Sequence, residues 1–195
     1  ARFLEAGGAP IAPDDPRLSR VENRVVAAPS QSLAAAAELA REAGAEVEIL
    51  GDAIEGEART VAAEQAGLAR ARQRTCTRPL VLLSGGELTV TRRGDGVGGP
   101  NAEFALALTC ALDGAPGIHA LACDTDGVDG AAEVAGARVT PDTLARAAAA
   151  GLDPMGALAR NDAHSFFGAL GDRILTGPTL TNVNDFRAIL VAPAP

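Results

Sequence analysis

Asp124, Asp126 and Asp129 fall within the seven residues of DTDGVDG, directly after an apolar run that reads as a buried strand. Carboxylates so spaced are hard oxygen ligands of the kind Mg²⁺ accepts, an ion that takes one or two carboxylates and fills its shell with water and substrate phosphate oxygens. Asp and Gly are equally common turn residues whose side chains bond the local backbone. The loop alone leaves both readings open. It is only loosely like an EF-hand calcium loop, whose glycine and distal glutamate are not in place.

Three more segments concentrate unusual residues: SGGE at 84–87, GDGVGGPNAE at 94–103 and TGPTLTNVND at 176–185. Ser84 has no GxSxG context, so it is no nucleophile-elbow serine. Gly94, Gly96 and Gly99 match GxGxxG formally, but the run from Leu88 to Arg92 alternates with polar residues, whereas the first strand of a dinucleotide fold is apolar on both faces. No NAD is expected. A glycine-rich loop entering a helix can still receive a phosphate or carboxylate on its N–H groups; the alternative is a plain flexible loop. Thr179, Thr181, Asn182, Asn184 and Asp185 are more polar residues than one turn requires, which suggests a lined pocket. His119 and His164 have no metal-ligand neighbours at helical spacing and read as structural.

The elements that must position these loops follow from periodicity. A short apolar run at 24–28 reads as a strand, and a helix at 30–43 starts with Ser30 as its cap and stops at Gly44. A strand at 45–50, a loop at 51–56 and an Ala-rich helix at 57–74 with Val61, Gln65 and Leu68 near one face complete the opening third. Residues 4–16 read as a linker. Next come a buried strand at 79–83, a hairpin-like connection at 84–87 and an alternating strand at 88–91. A helix at 101–112, a strand at 118–123 and an Asp/Gly loop at 124–136 follow. Helices are expected at 140–150, 154–160 and 162–170, then strands at 173–176 and 186–191. Strands alternating with helices indicate an α/β fold with a largely parallel or mixed sheet flanked by helices. In such sheets ligands sit outside the strand ends, so the four loops are expected to converge.

The chain has 195 residues, enough to bury a core without disulfides or structural metal. All 17 basic residues are arginine and the net charge is −8, which disfavours a grip on nucleic acid. No apolar run is long enough to cross a bilayer. Cys76, Cys110 and Cys123 form an odd set with no CxxC pair, which fits a reducing cytoplasm better than a disulfide scaffold. The chain opens at Ala1 without an initiator Met or a signal-peptide pattern, and so reads as processed or partial.

The four segments, in this order and spacing over residues 79–191, resemble the C-terminal (MOFRL) domain of the type-2 glycerate kinases, once called hydroxypyruvate reductases. That family's pattern runs SGGE, GxGGRNQE, DTDGxDG, ND and TGPTGTNVND. Residues 1–74 then correspond to a linker and the tail of the family's larger N-terminal domain, and residues 75–195 to its C-terminal α/β domain. The resemblance implies transfer of the ATP γ-phosphoryl group to the 2-hydroxyl of D-glycerate with Mg²⁺, in a cleft between two domains. It implies small-molecule partners only, no nucleic acid and no membrane, and a homodimer is compatible with it. It puts Asp124, Asp126 and Asp129 at the metal, with Asp124 and Asp126 as candidates for catalysis. Ser84, Gly85, Gly86, Glu87, Gly98, Gly99, Asn101, Glu103, Thr179, Asn182, Asn184 and Asp185 fall at the substrate or nucleotide.

The chain departs from the pattern twice. Pro100 stands for the arginine of GGRNQE, removing a guanidinium that could clamp a phosphate or carboxylate. Leu180 stands for the glycine of TGPTGTN. The family's catalytic lysine belongs to its N-terminal domain, and this chain has no lysine. An incomplete or degenerate kinase and a non-catalytic binding module are therefore both expected readings, with an NAD(P)H-dependent reductase third.

Overall fold

The computed structural model describes residues 11–130 and 132–194. Of the expected linker at 4–16, residues 4–10 lie outside the described residues, and the rest leads into a 3-10 turn, Pro16–Leu18, capped by the Asp15 carboxylate.

A six-stranded sheet in the order β1-β2-β6-β3-β4-β5 organises the chain. Its strands are β1 Glu46–Glu57, β2 Leu80–Thr89, β3 Ile118–Asp124, β4 Gly136–Val139, β5 Arg173–Ile174 and β6 Asp185–Val191. Only β1 and β2 run parallel; every other neighbouring pair is antiparallel. The sheet is thus mixed rather than largely parallel, because the last strand, β6, inserts between β2 and β3 against both.

Helix α1, Pro29–Glu42, lies on one face of the sheet. Its Leu33 and Ala37, one turn apart, bury against Leu83. Its N-terminus is set by Pro29 in the first turn and by the Gln31 side chain, which accepts the Ala28 N–H at 3.1 Å, rather than by Ser30. The opposite face carries the main core under α2, Ala58–Gln73, and α3, Pro100–Leu112. Helix α2 turns Ala58, Val61, Ala62, Gln65, Ala66 and Ala69 inward, and these mostly small side chains let it approach α3 closely. Helix α3 is buried on nearly all sides, as its almost uniformly apolar sequence requires. Three short helices, α4 Thr143–Ala149, α5 Pro154–Ala159 and α6 Ala163–Leu170, close the fold between β4 and β5.

Several local expectations are overridden by pairing. Residues 24–28 form no strand: Val25 and Val26 are 85% and 86% exposed, and no described strand lies alongside them. The loop expected at 51–56 is the second half of β1, bulged at Gly51 but paired with β2 as far as Thr89. The hairpin at 84–87 does not form, because β1 and β6 both hydrogen-bond along that stretch and hold β2 in one piece. Gly86 makes the β1 contact possible. It has φ +111°, and a Cβ there would stand 2.2 Å from the Ile54 backbone nitrogen. The expected loop at 124–136 yields the short strand β4 at its end, and the helix after it begins at Thr143 rather than 140.

No helix among the described residues is long and apolar enough to cross a membrane. Cys76, Cys110 and Cys123 are half-buried free thiols.

Candidate functional site

Because β6 runs antiparallel to β2 and β3, its first residue, Asp185, pairs with Asp124 at the end of β3 and with Gly86, where the pairing along β2 ends, and this end of the sheet collects the unusual loops. A cavity of about 300 Å³ opens there, lined by Glu87, Pro100, Asn101, Asp124, Val128, Asp129, Gly130, Asn182, Asn184 and Asp185. Each of the four segments contributes to it.

Asp124 ends β3 directly opposite Asp185, which starts β6. One Asp124 oxygen accepts the Asp126 N–H at 2.9 Å. Burial, with the charges of Asp126 and Asp185 nearby, pushes its pKa up to about 6. Asp185 is buried and fully engaged: Oδ1 accepts the Asn101 Nδ2 at 2.7 Å, and Oδ2 accepts the Leu88 N–H at 3.1 Å and the Arg187 Nη1 at 2.8 Å. Asp129 has both oxygens on the start of α3, accepting the Asn101 and Ala102 N–H groups at 2.9 Å each. It therefore caps that helix, with His164 Nε2 close by at 3.4 Å. Burial raises its pKa against the pull of those amides. Asp126 braces its own loop, accepting the Val128 N–H at 2.8 Å and the Asn182 Nδ2 at 3.0 Å.

The remaining expected residues separate into three groups. Glu87, Asn101, Asn182 and Asn184 reach the cavity. Gly98, Gly99 and Glu103 line a smaller pocket of about 180 Å³, which shares Pro100 and Gly130 with the first and also has Arg92 and Asn161 in its wall. Burial raises the Glu103 pKa although Arg59 and Asn161 both donate to its Oε1. Ser84, Gly85 and Gly86 lie inside β2 and do not line the cavity, nor does Thr179, whose hydroxyl donates to the Thr125 carbonyl at 2.5 Å.

The glycine-rich loop is stitched down rather than open. The Gly96 N–H donates to the Arg160 carbonyl and the Val97 N–H to Asp162 Oδ1, while Asn161 Oδ1 accepts the Arg93 and Gly94 N–H groups. The amides at the start of α3 that could receive an external anion already serve Asp129. Gly99 permits that contact, since a Cβ there would stand 2.4 Å from Asp129 Oδ1.

Two residues outside the four motif segments also shape the site, Arg187 and Asn161. Arg187 is fully buried under the cavity, its signal being one cation inside the apolar run FRAILV. Asn161 carried no comparable signal. Its role depends on a left-handed backbone, φ +55°, between two short helices.

Among the described residues no group of three or more His, Cys, Asp or Glu side chains is arranged to hold a metal ion. The cavity instead offers Asp124 and Glu87 as carboxylates without an ion-pair partner among the described residues, beside Asp185 and Asp129, which are already engaged.

Comparison with known proteins agrees with this architecture. A "Putative hydroxypyruvate reductase" from Agrobacterium vitis is 52% identical over 175 residues, covering 87% of this chain and 40% of the relative. The D-glycerate 2-kinase of Thermotoga maritima is 35% identical over 171 residues, covering 86% and 41%. The crystal structure of glycerate kinase from the same organism superposes with a TM-score of 0.84 at 34% identity, covering 89% of this chain and 42% of that one. The chain thus spans about 40% of the length of these relatives. The MOFRL family model matches residues 80–185, more than half the chain and all four convergent loops, and the chain belongs to the MOFRL family.

Proposed function

We propose that this chain is the C-terminal part of a glycerate 2-kinase-like protein, transferring the γ-phosphoryl group of ATP to D-glycerate, and that it is incomplete or degenerate as it stands. The observation that carries the reading is the convergence of the four loops on one carboxylate-rich cavity, in a chain whose relatives include glycerate kinases. Residues 1–74 belong, on this proposal, to the end of a larger domain, and residues 75–195 to the C-terminal one. β1 and α2, before that division, share the sheet and core of the residues after it. A cytoplasmic location belongs to the same proposal.

Phosphoryl transfer depends on positioning and on neutralising charge. Asp124 fits a Mg²⁺ site because its carboxylate is held part-buried, with a raised pKa that a cation would relieve. Asp129 and Asp185 have their oxygens committed to protein donors, so they fit the role of fixing Asn101 and the start of α3. An ion held by so few carboxylates draws its other ligands from water and phosphate, as Mg²⁺ does, and would supply charge neutralisation when bound. Asn182 is held by Asp126 at the rim, where it can orient a substrate hydroxyl or carboxylate.

A second reading has a specific observation in its favour. Four carboxylates and, among the described residues, no cation line the cavity, and Pro100 stands where the family pattern has arginine. That favours a non-catalytic binding or interaction module for this polypeptide. A coupled assay of ADP formation with D-glycerate, ATP and Mg²⁺ separates the two: turnover by the 195 residues sinks the module reading, and its absence here with turnover in a longer polypeptide supports incompleteness. NADH oxidation with hydroxypyruvate tests the reductase alternative, and none is expected.

A further inference from the structure

We infer that Arg187 is a positioning residue of the cavity, holding Asp185 turned to Asn101, so that the SGGE strand acts on the site through a buried guanidinium. Arg187 is 0% exposed and sits on the same face of β6 as Ile189 and Val191, which belong to the apolar core. An aliphatic side chain would suit that face, and a buried ion pair is seldom better for stability than well-packed apolar residues. A guanidinium here therefore calls for another explanation.

Its contacts supply one. Nη1 donates to Asp185 Oδ2 at 2.8 Å, Nη2 to the Gly85 carbonyl at 2.7 Å and Nε to Ser84 Oγ at 3.2 Å, while the carbon of the guanidinium stands 5.7 Å from the centre of the Phe104 ring. Ser84 is itself fixed by the Gln65 amide at 3.2 Å. The planar fork is thus held by β2 and α2 and delivers one N–H to Asp185, a division that a lysine ammonium cannot copy in full. Asp185 relays this orientation, since its other oxygen grips the Asn101 amide at 2.7 Å. Asp124 lies opposite Asp185, and Asp129 shares the Asn101 amide at 3.4 Å. Three carboxylates meet here, and no other cationic side chain contacts Asp185 among the described residues. Without Arg187, Asp185 Oδ2 keeps the Leu88 N–H as its donor, the carboxylate is less firmly held, and its grip on Asn101 loosens.

The consequence for substrate handling rests on the glycerate kinase reading above; the coupling of Arg187, Asp185 and Asn101 does not. The test follows the Asn101 side-chain NH₂ of the full ¹⁵N-labelled chain, assigned by its loss in Asn101→Ser, and measures its exchange with solvent. Arg187→Lys, which keeps the charge, retains most of the protection. Arg187→Met and Arg187→Gln lose it by about tenfold or more, while the amides of Leu106 and Leu108 in α3 keep theirs. In an Asp185→Asn background, replacing Arg187 by Gln adds no further loss, as expected for residues acting in series. Unchanged Asn101 protection in the neutral variants, equal loss in Arg187→Lys and Arg187→Gln, or additive losses in the double variant would overturn the assignment. If Arg187→Met does not fold, the Lys and Gln variants decide. Coupling without ADP formation by a longer polypeptide would sink the kinase reading and leave Arg187 where it is assigned.

Discussion

Asp124 and Asp185 are register partners across the β3–β6 ladder, and both line the 300 Å³ cavity. They differ in environment. Asp185 has Arg187, Leu88 and Asn101 as donors, whereas Asp124 has one backbone N–H and a raised pKa. Of the two, Asp124 is the one that a cation or a proton can still satisfy.

The pH dependence of stability follows from that asymmetry. A carboxyl whose folded pKa is raised to about 6 from 3.8 binds its proton more tightly in the native state. Its contribution is therefore most favourable below the unfolded pKa and is lost as pH rises through the interval to about 6. Asp124→Asn flattens this slope and raises stability at neutral pH by about 1 kcal/mol, the effect being kept small by solvent screening of a part-exposed carboxylate. Urea unfolding on both sides of the interval measures it, and a slope that persists in the variant refutes the assignment.

Leu180 is 97% exposed and sits at φ +61°, a region where a side chain is strained. The glycine of the family pattern answers to this backbone. Leu180→Gly stabilises the chain by about 0.5–1 kcal/mol, since strain is released and no packing is lost. Thermal melts should rise by a few degrees; a fall would mean that the loop holds Leu180 for a contact absent from the isolated chain.

Gly86 has the opposite character. Gly86→Ala places a methyl against the Ile54 backbone at a positive φ and costs at least about 3 kcal/mol, or separates β1 from β2. Hydrogen exchange along β1 distinguishes the outcomes, and near-native stability would show that the β1–β2 contact is looser than described.

Pro100 occupies the first turn of α3 and lines both pockets, so an arginine there has room to reach either. In a longer polypeptide carrying the rest of the relatives' length, Pro100→Arg raises ADP formation by about tenfold or more if the cavity needs a clamp. Unchanged turnover would show that position 100 is not where that charge acts.

Much of the fold was legible because short-range patterns are strongly expressed. The apolar runs of β2, β3 and β6 and the helical spacing of α2 and α3 mark elements whose burial any tertiary arrangement must respect. The site was legible as four loops because Asp, Asn and Gly gather between those runs. The work each residue does was not. Asp129 had the composition of a metal ligand and caps α3; Ser84 and Gly85 had that of a ligand loop and hold Arg187.

Residue order along the chain is enough to require that apolar stretches of set period bury one face, and that polar loops lie at their ends. The choice of partners came from long-range packing. β6 could have extended a parallel edge, yet it lies antiparallel between β2 and β3, and that placement sets Asp185 beside Asp124 and Arg187 under the cavity. The reason is physical: periodicity fixes which face of an element is apolar, while register and neighbour depend on contacts between residues some hundred positions apart, as Ser84 and Arg187 are.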